Sequence, residues 1–162
     1  YCMKLRPVQA EDNKRLANMI RQVFEEHNAP TEGTVYTDPT TDHLFELFQH
    51  PKSVLWVAEE NGVLLGCCGV YPTSGLPETC IELVKYYLPK EARGKGIGKR
   101  LMELSIASAK DLRYSENYIE SLPVFSRAVR IYEQQGFVQL DSPMGESGHP
   151  GCTIWMRKEI NQ

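Results

Sequence analysis

The chain has 162 residues, enough for one compact domain that buries about 70% of its unfolded surface. With 41% hydrophobic residues, 24% charged residues and a net charge of −3, it lacks the basic excess that holds nucleic acid. No apolar run approaches the roughly 20 residues that cross a bilayer, and the Tyr1-Cys2-Met3-Lys4 start has no apolar signal region.

Met3–Arg6 alternates and halts at Pro7, as a short first strand does. From Gln9 to about His27, Leu16, Met19, Ile20, Val23 and Phe24 recur at helical spacing, with Glu11 and Asp12 placed to complement the helix dipole. Pro30, Gly33 and Pro39 mark a loop from Asn28 to Thr41. A short helix with Leu44, Leu47 and Phe48 follows, capped by Asp42 and ended by Pro51. Ser53–Glu60 and Val63–Tyr71 flank Asn61-Gly62, the dipeptide that supplies the positive φ angles of a two-residue hairpin. A connection from Pro72 to Pro77 leads to a strand over Cys80–Leu88. A glycine-rich turn, Arg93–Arg100, then opens a helix carrying Ile97, Leu101, Leu104, Ala107 and Leu112. Asn117–Glu120 is a strand, and Pro123 starts a helix with Phe125, Ala128, Val129 and Tyr132 on one face. Gly136 closes that helix, Phe137–Leu140 is a strand, Asp141–Gly151 a loop, and Cys152–Arg157 the last strand.

Five cysteines (Cys2, Cys67, Cys68, Cys80, Cys152) form no C-x-x-C pair, and their odd number argues against a disulfide framework. They read as reduced thiols of a cytoplasmic protein. His27, His43, His50 and His149 have no metal-ligand spacing, so no metal is expected.

The glycine turn is the strongest chemical signal. A helix opened by glycines directs free N–H groups outward at the positive end of its dipole, where a phosphate fits. A P-loop is excluded, because Gly98-Lys99 is followed by Arg100 and Gly94 is one position too close. The dinucleotide fingerprint fails as well, with Lys99 or Leu101 at its third glycine. Arg93, Gly96 and Gly98 do fit Arg-x-x-Gly-x-Gly. Together with Ile131-Tyr132-Glu133-Gln134-Gln135-Gly136-Phe137 and the element order, this resembles the GNAT family, the Gcn5-related N-acetyltransferases.

The resemblance implies an α/β (α+β) fold, a mixed and mostly antiparallel sheet of about seven strands flanked by about four helices, as one domain over residues 1–162. It implies acetyl-CoA as co-substrate, with the pyrophosphate on Arg93, Gly94, Lys95, Gly96, Ile97, Gly98 and Lys99, and charge also available from Arg100. It places the pantetheine arm along the backbone of Tyr86, Tyr87 and Leu88, with the Tyr86 N–H at the thioester carbonyl.

Tyr132 matches the family tyrosine that protonates the departing sulfur, although its spacing alone, on a face with Phe125, Ala128 and Val129, reads first as core packing. Glu82, four residues before Tyr86, matches a family base; otherwise it is a charge on a solvent-facing strand side. Glu120 and His149 are rival bases. Phe125 stands where many members carry an Asn that contacts pantetheine, with Ser126 as a partial substitute.

The expected activity is transfer of acetyl to a primary amine of a small molecule or peptide by direct attack through a tetrahedral intermediate, with no nucleic-acid or membrane partner. A homodimer is compatible with the sequence and not specified by it. The alternatives are a non-catalytic acyl-CoA sensor or interaction module, or a transferase of another acyl group. Acceptor recognition falls to the loops at His27–Thr41 and Asp141–Gly151. Their acidic residues Glu32, Asp38, Asp42, Asp141 and Glu146 lean toward a cationic amine.

Overall fold

A computed structural model describes residues 3–160, so Cys2 lies outside the described part. Seven strands form one sheet: β1 (Met3–Pro7), β2 (Val54–Glu60), β3 (Val63–Tyr71), β4 (Cys80–Tyr87), β5 (Glu116–Ser121), β6 (Val138–Gln139) and β7 (Ile154–Glu159). Their spatial order is β1-β2-β3-β4-β5-β7-β6, and only β4 and β5 run parallel. Four helices flank it: α1 (Asn13–Glu26), α2 (Leu44–Leu47), α3 (Ile97–Asp111) and α4 (Ser126–Gln134).

Each face of the sheet buries its own apolar layer. α1 and α2 set Leu16, Ile20, Phe24 and Leu44 against Val57 and Cys67. On the other face α3 and α4 bring Leu101, Met102 and Tyr132 onto Cys68, Ile81 and Leu83. Cys67 and Cys68 thus point to opposite sides, as strand alternation requires. Each fully buried Leu or Ile contributes about 1.5–3 kcal/mol, so the two layers dominate the stability.

The hairpin turn has the expected geometry, with φ of 51° at Asn61 and 79° at Gly62. Several boundaries differ from the sequence reading. α1 starts at Asn13 instead of Gln9, because the Asp12 carboxylate accepts the Gln9 N–H at 2.8 Å and tightens Ala10–Asp12 into a 3-10 turn. Asp12 is also no exposed dipole partner: it is 1% exposed and holds Arg6 and Arg15. Asp42 does not cap α2, since both its oxygens accept from Arg21. Asp38 instead caps a 3-10 turn at Pro39–Asp42 through the Thr40 N–H. β4 ends at Tyr87, and the Leu88 carbonyl accepts from Arg93. The last strand begins at Ile154, two residues later than its apolar run suggests. Among the described residues, no helix is long and apolar enough to cross a membrane.

Candidate active site

β4 pairs with β5 only through Cys80–Glu82, opposite Glu116–Tyr118, and beyond that the two strands diverge. The edge of β4 from Leu83 onward is therefore left without a strand partner on that side. A cavity of about 680 Å³ occupies the gap, running from the glycine turn past Tyr86, Leu88 and Tyr132 to Glu82, Asp38 and His149.

At the first end, Gly94 and Gly96 take left-handed φ angles of 78° and 79°, and Gly96 caps α3. A side chain at Gly96 would meet no atom within 4 Å, so the backbone there is open to close approach. An anion such as a pyrophosphate fits this bare helix start. Gly98 is bare for a different reason: its missing side chain leaves room for the Tyr86 hydroxyl, which would lie 2.4 Å from a Cβ. Ile97 is 3% exposed and belongs to the core.

Arg93 does not project freely from the turn. Its guanidinium grips the Glu26 carboxylate at the end of α1 and donates to the Leu88 carbonyl at 3.0 Å. Exposed cations around the turn are Lys95, Lys99, Arg100 and Arg127, of which Lys99 and Arg127 line the cavity. Arg127, on the first turn of α4 beside Gly94, was not visible in the motif because its partner lies some thirty positions earlier.

Midway along the cavity stands Tyr132. α4 ends in a Schellman turn, with Gly136 at φ 97° donating to the Glu133 carbonyl and Phe137 donating to the carbonyl of Tyr132, both at 3.0 Å. The Tyr-x-x-x-Gly-Phe phrase is thus a device that fixes the tyrosine. Its ring packs on Tyr86 and Phe137, with centroids 5.9 and 6.1 Å away. Its hydroxyl makes no hydrogen bond among the described residues, and burial raises the phenol well above its ordinary value of 10.0. Phe125, at the expected Asn position, stacks edge-on against Phe24 at 5.2 Å and adds an apolar wall.

The far end is polar. Glu82 is 5% exposed, and its Oε1 accepts from Thr73 at 2.6 Å. Burial, with Glu120 nearby, pushes its carboxyl up to about 7 against the pull of Thr73 and Lys85. Glu82 is therefore no solvent-facing strand charge. Glu120 is engaged by the Tyr118 hydroxyl at 2.7 Å and by Ser147 at 2.5 Å. His149 bonds Asp38 at 2.6 Å, tying the Asp141–Gly151 loop to the Pro39–Asp42 turn. Burial favours a raised Asp38 pKa, but the bonds from His149 and Thr40 hold it below the usual carboxylate range. Of the acidic loop residues, Asp42 is paired with Arg21, and Asp38 is hydrogen-bonded by His149. Gly151 and Glu146 donate to Gly33 and Ser74, each at 2.7 Å, and knit three loops over this end.

Lys85 is the residue that sequence reasoning missed. Cys67 faces Tyr87 while Gly69 faces Val84, so β4 carries one extra residue there, and Lys85 takes a φ of 57°. That bulge turns the Lys85 side chain into the cavity beside Glu82 and Asp38.

Residues 20–137 match the family model described as the acetyltransferase (GNAT) family. The chain is 31% identical over 157 residues to the uncharacterized N-acetyltransferase YjgM of Escherichia coli (strain K12), covering 96% of this chain and 94% of that protein. An acetyltransferase of the GNAT family from Staphylococcus aureus Mu50 superposes with a TM-score of 0.86 at 17% identity, over 99% of this chain and 100% of that one. YncA from Salmonella typhimurium, solved with acetyl-CoA, superposes at 0.76 and 17% identity, over 100% and 96% of the two chains. At these identities the two superpositions establish a shared fold.

Proposed function

The chain belongs to the GNAT acetyltransferase family, and on that premise we propose that it moves acetyl from acetyl-CoA directly to a primary amine, as a single catalytic domain. The observation that carries this reading is one continuous cavity with a bare glycine helix start at one end and a proton-accepting carboxyl at the other. The Tyr132 hydroxyl, without a hydrogen-bond partner among the described residues, stands between them.

The roles follow from the chemistry each group can perform. Backbone N–H groups of Gly94–Lys99 hold the pyrophosphate, with Lys99 and Arg127 adding charge from the sides. Arg93 braces the turn against Glu26 and leaves the phosphate to its neighbours. The free edge of β4 at Tyr86–Leu88 pairs with the pantetheine arm, and the Tyr86 N–H donates to the thioester oxygen as negative charge builds there. The thioester supplies an activated acetyl group. Glu82 takes one proton from the acceptor ammonium, directly or through water, and frees the nitrogen lone pair. As the N–C bond forms and the C–S bond breaks, Tyr132 delivers a proton to sulfur. The second nitrogen proton restores the balance, so amide, free thiol and one released proton result. A carboxyl near 7 suits the base role, because it is half ionised at the pH where it must work.

A thiol-release assay with acetyl-CoA against polyamines, amino acids, aminoglycosides and peptides tests the reading. Amine-dependent release is expected. Tight acetyl-CoA binding with no release for any amine would replace the enzyme with a sensor.

A further inference from the structure

Resting on the transferase reading, we propose that the acceptor is a small amino acid-type amine whose carboxylate docks on Lys85 while its amine faces Glu82. Lys85 is 7% exposed, and its ammonium forms no ion pair or hydrogen bond among the described residues. The nearby carboxylates are committed elsewhere. Asp38 accepts from His149 and from both the N–H and hydroxyl of Thr40, at 2.6–2.9 Å, and Glu82 accepts from Thr73. Glu120 is held by Tyr118 and Ser147. An ammonium buried without a direct partner is costly, and here it is aimed into a cavity by a bulge.

Its placement adds the selectivity. Lys85 and Glu82 lie three positions apart on one strand and enter the same polar end of the cavity, so the wall offers a donor cation beside an acceptor carboxyl. That pairing matches a zwitterion: the carboxylate goes to Lys85, and the ammonium to the carboxyl that deprotonates it. The loops knit together at this end border the space where that acceptor would sit. A polyamine has no carboxylate to offer Lys85 and so gains nothing from it.

The experiment compares each of the L-amino acids with its α-amide and its decarboxylated amine as acceptors for wild type, Lys85→Gln and Lys85→Arg. The expected wild-type kcat/KM for the best amino acid exceeds that of its amide by at least about tenfold. The ratio falls to within about threefold of unity in Lys85→Gln and recovers in Lys85→Arg. A wild-type ratio near unity, or a ratio that survives in Lys85→Gln, overturns the proposal. If only carboxylate-free amines are acetylated, Lys85 is not an anchor and the transferase reading stands.

Calorimetry supplies a readout that needs no turnover. Free and N-acetylated amino acids should bind wild-type protein at least about tenfold more tightly than the matching amides. Equal binding rejects the carboxylate site whatever the assay shows. If no amine is turned over but this preference holds, the transferase reading fails and the carboxylate site remains. Acetyl-CoA affinity and the thermal midpoint of Lys85→Gln show whether the variant is folded, and the wild-type comparison decides the matter if it is not.

Discussion

Glu82 and Lys85 enter one cavity from a single strand, although strict alternation would send residues three apart to opposite faces. The bulge brings an ionisable acid and a cation together in a setting where neither is well hydrated.

For Glu82 the expected consequence is a pH profile. With its carboxyl near 7, turnover should rise as pH increases through neutrality, and that limb should vanish in Glu82→Gln. Stability moves the other way. A carboxyl raised from 4.5 to about 7 by folding keeps its proton longer in the native state, so its contribution is full below pH 4.5 and is lost as pH rises toward 7. Urea unfolding at several pH values should show a flatter slope over that window for Glu82→Gln. A variant that retains the acidic limb of the rate profile would remove Glu82 from the base role.

Tyr132→Phe deletes one hydroxyl and leaves the ring packed between Tyr86 and Phe137. Expected is a fall in kcat of at least about tenfold, with acetyl-CoA affinity within about threefold of wild type. Undiminished turnover at saturating substrates would show that another group protonates the thiolate.

Gly136→Ala tests how Tyr132 is held. The φ of 97° disfavours any side chain, and the Schellman bonds that grip the Tyr132 carbonyl depend on it. A loss of about 1 kcal/mol in stability is expected, together with a drop in kcat larger than the rise in KM for either substrate. Full activity in a destabilised protein would separate the turn from the chemistry.

The sequence made these features legible where the physics is local. A two-residue hairpin favours Asn-Gly, a bare helix start needs glycines, and the Schellman turn that holds Tyr132 needs a glycine four residues later. Glu82 stood out through the family resemblance, four residues before Tyr86, but its burial did not, because it depends on the Thr73 loop and on Glu120 of β5 closing around it. Lys85 was hidden more deeply. Its orientation comes from a register shift against β3, and nothing within the β4 sequence announces an extra residue. The same holds for Arg93, whose motif position suggested phosphate while its contact with Glu26 spans 67 positions of chain.

Asp12 allows a test of the scaffold alone. It is 1% exposed and bonded to Arg6, Arg15 and the Gln9 N–H. Burial opposes its ionisation, yet those partners hold its pKa at about 2, down from 3.8. A lowered carboxyl stabilises the native state above pH 3.8 and loses that contribution as pH falls toward 2. Asp12→Asn should cost about 3 kcal/mol at neutral pH and flatten the acid limb of the stability curve. A change under about 0.5 kcal/mol would mean that the arginines find solvent at no cost.

Arg93 closing on Glu26 leaves Lys95, Lys99, Arg100 and Arg127 as the exposed charge around the glycine turn, whereas Lys85 and Glu82 sit in the interior. Mobile ions screen exposed charges within about 8–10 Å at physiological salt and reach buried ones far less. The two ends of the cavity therefore work in different electrostatic media. On the proposed reading, capture of acetyl-CoA at the glycine turn would weaken as ionic strength rises while discrimination among amines would not, so salt becomes a dial that sets how often the protein holds its donor without altering which acceptor it selects.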